Sequence, residues 1–70
     1  MNIGEGIKQQ RLRLGISQSE LARAVGISQQ NISRWENNTH IPDVIQCSIL
    51  AKYFDVTLEE LIGLNENDKK

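Results

Sequence analysis

One cysteine is too few for an internal disulfide, and the single histidine beside it is too few to complete a zinc site unaided. No apolar run approaches the ~20 residues of a membrane-spanning helix. The first residues lack the basic-then-apolar pattern of a secretory signal, and a free thiol behind a bare methionine suits the cytoplasm. There is no glycine-rich phosphate loop and no nucleophile with a base at motif spacing, so the chain is expected to be neither an enzyme nor a cofactor carrier. No repeat or linker divides it. Residues 1–64 are expected to form one small domain with an economical core, and NENDKK, residues 65–70, a disordered polar tail.

What the chain does hold is concentrated in Ser17 to Glu36, SQSELARAVGISQQNISRWE. Ser17 and Glu20 have capping-box spacing. Leu21, Ala22 and Val25 follow as an apolar stripe at one-turn spacing. Gly26 ends that helix where the backbone needs a positive φ. Ile27 points back inward, and Ser28 caps a second helix over 29–36. Ile32 and Trp35 share one face of it. Gln29, Gln30, Ser33 and Arg34 share another, which carries no carboxylate until Glu36. Ala22 is small where two steeply crossed helices nearly touch. Amides, hydroxyls and a guanidinium on one helical face are the groups that read base edges in a DNA major groove.

The ordered set SQSELARAVGISQQNISRWEN resembles the helix-turn-helix of the Cro/repressor family of phage and bacterial DNA-binding proteins. The likeness runs from Ile3 to Gly63 and takes in Arg11, Pro42, LAKYFDV and a closing TLEELIG. It implies an all-α, five-helix, lambda-repressor-like DNA-binding domain. It further implies a sequence-specific regulator, a dimeric repressor on a palindromic double-stranded operator, with half-sites about 34 Å apart. Helix 29–36 would enter the groove by its N-terminal end. The amides of Gln29 and Gln30 match adenine N6/N7, the Arg34 guanidinium matches guanine O6/N7, and Ser33 reaches a base edge or a phosphate.

Other contacts follow from the same resemblance. Gln18, first in its helix, contacts the DNA backbone, where unsatisfied N–H groups attract phosphate. Ser28, Asn37 and Thr39 add to affinity. Arg11 pairs with Glu36. The loop Asn37–His40 faces phosphates, though it lacks the lysine or arginine that the family often places there.

Charge supports this division of labour. The net is −1. Up to residue 42, Lys8, Arg11, Arg13, Arg23 and Arg34 outnumber Glu5, Glu20 and Glu36. From residue 43 on, Lys52, Lys69 and Lys70 are outnumbered by Asp43, Asp55, Glu59, Glu60, Glu66 and Asp68. Such polarity orients a protein on a polyanion while holding non-specific duplex weakly.

The flanking helices are expected over 3–14, from Asp43 to Phe54, and after a Thr57/Glu60 capping box. Ile3, Ile7 and Leu14 give the first its core face, with Gln10 bent to the rim. Gly4 and Gly6 are expected to weaken its first turn. Val44, Cys47, Leu50, Ala51 and Phe54 give the fourth its core face, with Cys47 a buried small hydrophobe. Leu58, Leu61, Ile62 and Leu64 pack inward or across a dimer axis. Ile45, Ile49 and Tyr53 make a second stripe, either extra core or an interaction surface. That stripe and the acidic second half motivate a competing reading, an antitoxin-like protein-interaction module. The sequence also leaves open a protein partner or anti-repressor.

Overall fold

Every helix starts on a side chain that turns back onto the helix's own amides. A computed structural model of the chain describes residues 2–62. It contains α1 (Ile3–Leu14), α2 (Gln18–Val25), α3 (Gln29–Glu36), α4 (Val44–Phe54) and α5 (Leu58–Ile62). Asn2 Oδ1 accepts from the Glu5 amide at 2.9 Å, and Ser28 Oγ from the Asn31 amide at 3.1 Å. Ser17/Glu20, Asp43/Gln46 and Thr57/Glu60 each form a reciprocal capping box. Each such cap satisfies donors that the first turn leaves unpaired, for about 1 kcal/mol.

The ends are equally local. Gly15 and Gly26 take left-handed conformations with φ of 70° and 71°. Asp55 does the same at φ 60° without glycine's freedom.

Each helix gives the core one aliphatic side chain with no exposure: Ile7, Leu21, Ile32, Leu50 and Leu61. Ala22, Trp35, Ala51 and Phe54 complete it. Burying each large member is worth about 2 kcal/mol. α1 lies against both α3 and α5, and α2 against α3. The site helix is thereby held from two sides.

Several expectations about packing fail. Leu14 is 41% exposed rather than core, because α1 ends at Gly15 just beyond the last layer it covers. Val44 is 76% exposed, since the first turn of α4 projects past the core that Leu50, Ala51 and Phe54 reach. Of the two places expected for Leu58, the inward one is not taken: it is 40% exposed on α5, with Leu61 the fully buried member. Cys47 is only half-buried, with Sγ 3.8 Å from the Pro42 carbonyl oxygen. Gln10 does sit at the rim, as expected, and accepts from Arg13 Nε at 2.8 Å.

Gly4 and Gly6 are not weak points. A Cβ at Gly4 would overlap the Trp35 carbonyl oxygen and come within 2.6 Å of Asn38 Oδ1; one at Gly6 would overlap the Leu61 carbonyl oxygen. Both glycines let α1 approach neighbouring backbones that any side chain would push away. Leu64 and the expected tail at 65–70 lie outside the described residues.

Candidate nucleic-acid interface

α3 is oriented by what it buries. Ile32 is fully buried and Trp35 is 3% exposed, so the face opposite them must look outward. Gln29, Gln30 and Arg34 are exposed there, and their side chains make no hydrogen bond to another described residue. Their donors and acceptors are therefore open to a ligand. Ser33 and Asn31 lie half-buried at the edges of the face.

Glu36 would place an unwelcome negative charge at the end of this ridge. Arg11 neutralises it through a two-pronged ion pair, Nε to Oε2 at 2.8 Å and Nη2 to Oε1 at 3.0 Å. Arg11 Nη1 also donates to the Ile16 carbonyl at 2.8 Å. One guanidinium thus joins α1, the connection before α2, and the end of α3. The hydrogen bond to Glu36 raises the Arg11 pKa, against a smaller opposing effect of burial, so the arginine stays charged. Gln18 Nε2 donates to Glu36 Oε1 at 3.1 Å. This fixes the side chain at the start of α2 and leaves its second N–H and its carbonyl oxygen for a backbone contact.

The expected phosphate ligands divide. Ser28 Oγ only accepts within the protein, so its proton is free to donate. Asn37 closes α3, with its N–H on the Ser33 carbonyl at 2.9 Å and its Nδ2 3.5 Å from Ser33 Oγ. Thr39 Oγ1 donates to the Arg34 carbonyl at 3.1 Å, so its proton is already in use. The Thr39 and His40 amides converge on that same carbonyl. The loop after α3 is thus a C-terminal cap first.

Sequence reasoning did not find the Gln18–Glu36 bond or the Ile16 carbonyl behind Arg11. The only signal for either was the nearness of Gln18 and Ile16 to a glycine-ended α1. Among the described residues no cluster of three or more His, Cys, Asp or Glu could hold a metal ion. No described helix is long and apolar enough to cross a membrane.

A capped helix, a glycine turn and a second helix with an outward polar ridge define a helix-turn-helix domain. The chain belongs to the Cro/repressor-type helix-turn-helix family, with residues 7–61 matching the family described as helix-turn-helix. It is 30% identical over 70 residues to the HTH-type transcriptional regulator ImmR of Bacillus subtilis (strain 168), across all of this chain and 55% of that protein. It is 30% identical over 66 residues to the HTH-type transcriptional activator BcrR of Enterococcus faecalis, across 94% of this chain and 32% of that one. It is 36% identical over 61 residues to the antitoxin PezA of Streptococcus pneumoniae, across 87% of this chain and 39% of that one. The chain therefore spans between about a third and about half of these relatives.

Proposed function

We infer that this chain is a sequence-specific DNA-binding transcriptional regulator, acting as a homodimer on a palindromic operator. The observation that carries this is the exposed, unbonded set Gln29, Gln30 and Arg34 on a helix pinned by Ile32 and Trp35. Free amides and a free guanidinium on one rigid face suit bidentate base contacts. Gln18, Ser28, Ser33 and Asn37 hold register on phosphates, and Thr39 braces the C-terminus of α3. A cytoplasmic location goes with this reading, because the operator is there.

Repression is the simpler mode, since occupying an operator blocks other proteins without further contacts. The relatives include both a regulator and an activator. Selecting bound sequences from a random duplex pool tests the reading. A palindromic product with purines opposite the α3 ridge supports it. An unenriched pool contradicts it.

The likeness to PezA favours a second reading, an antitoxin-like protein whose ligand is another protein. Complete absence of binding to random duplex at low salt would favour that alternative, because even weak helix-turn-helix binders retain a phosphate contribution.

A further inference from the structure

The loop after α3 poses an electrostatic problem. It follows a helix C-terminus, where the last carbonyls leave partial negative charge. Asn37, Asn38 and Thr39 bring no positive charge to offset it. Arg11, the guanidinium that reaches this end of α3, spends its charge on Glu36. A phosphate drawn to Asn37 would meet a surface that repels it unless a cation stood nearby.

α1 carries such a cation. Its first turn is pressed onto the end of α3 at Gly4, where a Cβ would overlap the Trp35 carbonyl oxygen and come within 2.6 Å of Asn38 Oδ1. Two turns on, Arg11 grips Glu36. Lys8 lies between these two contacts, one turn from each, on the same stripe of α1. At about 100° per residue it stands about 40° round from Gly4 and about 60° from Arg11, on the solvent side of both. Side chains on a helix tilt toward its N-terminus, so the Lys8 stem leans back over the turn of Gly4, toward Asn38. Lys8 is exposed. Glu5 lies about 60° further round, away from α3.

We propose that Lys8 is a phosphate ligand of the interface, standing in for the cation that the loop after α3 lacks. The inference rests on the DNA reading above and adds to it a residue from outside the helix-turn-helix. It also gives the close approach at Gly4 a use: the contact that packs α1 against α3 brings an ammonium to the loop. A lysine there acts as a point charge, so it holds the backbone without reading sequence.

The test is titration of a one-half-site duplex from the selected operator with wild type and Lys8→Gln, over about 0.05–0.2 M salt. Glutamine keeps the helix propensity of lysine and removes the charge. The log–log salt slope should fall by about 0.9. The two curves converge near 1 M, so affinity at 0.15 M should fall about fivefold. Random duplex should show the same loss, because a phosphate contact reads no base. Lys8→Arg should keep the wild-type slope. Lys52→Gln removes the same net charge from the last turn of α4 and should also keep it. The melting temperature of Lys8→Gln should move by no more than about 3 °C. An unchanged slope in Lys8→Gln would overturn the proposal and leave the DNA reading standing; joined to a larger drop in melting temperature, it would make Lys8 a partner of the α3 dipole alone. An equal fall in Lys52→Gln would reduce the effect to net charge, and a loss confined to the selected duplex would make it a base contact; either overturns the proposal. Wild type that binds neither duplex would strike both readings.

Discussion

Arg11 and Glu36 lie 25 residues apart in sequence and meet in a two-pronged ion pair, at 2.8 and 3.0 Å, with Glu36 3% exposed. The pair ties the first helix to the last turn of the third. It also keeps a bare carboxylate away from the ridge proposed to face DNA.

Removing one partner strands the other. Glu36→Gln should therefore cost about 3 kcal/mol in denaturant unfolding, because Arg11 stays buried without its counter-charge. Arg11→Lys should cost less than Glu36→Gln but not nothing, since an ammonium cannot span two carboxylate oxygens and the Ile16 carbonyl at once. The apolar double replacement Arg11→Met with Glu36→Leu should recover much of the stability. Equal losses in all three variants would show that the geometry of the fork is irrelevant.

At Gly6 two principles disagree in sign. Helix propensity says that alanine stabilises by about 1 kcal/mol. The overlap of a Cβ with the Leu61 carbonyl says that α1 and α5 must separate, at about 3 kcal/mol. Gly6→Ala should thus lower the melting temperature. A rise would mean that the close approach of the two backbones does not matter.

Base reading makes a different demand. Gln30→Ala and Arg34→Ala should each cost about 1–3 kcal/mol on the selected operator and relax preference at one base position. Folding should be untouched, as neither side chain bonds to another described residue. Gel-shift titrations on selected and random duplex decide it. The same loss on both would reassign the residue to phosphate contact.

Burial, with a further contribution from Asp43, raises the Cys47 thiol above its ordinary 9.0. The folded chain holds that proton to higher pH than the unfolded chain does. The stability gained is complete below 9.0 and fades as pH climbs through the folded value. Cys47→Ala should lose this alkaline component. The gap in melting temperature between wild type and variant should narrow from about pH 8 to about pH 10. A constant gap would place the thiol in water-like surroundings.

The helices were legible because their signals are local. Ser17 with Glu20, Thr57 with Glu60, and Gly15 and Gly26 at the stops each act within a turn of chain. The boundaries of α2 and α3 fall where the sequence places them. The Arg11–Glu36 pair was reached by resemblance alone, since nothing local links two residues so far apart. Leu14 and Val44 were misplaced for a related reason. Helical periodicity says which residues share a face, but not how far along each helix the core extends.

Sequence by itself determined the five helices, the glycine turn between the second and third, and the amide-rich face of the third, because capping and periodicity are settled within a few residues. Tertiary structure alone decided that Gly4 and Gly6 are points of backbone contact, that Gln18 is held by Glu36, and that one side of α4 is open. Those facts depend on which distant backbone arrives at each position, and only the packing of all five helices fixes that.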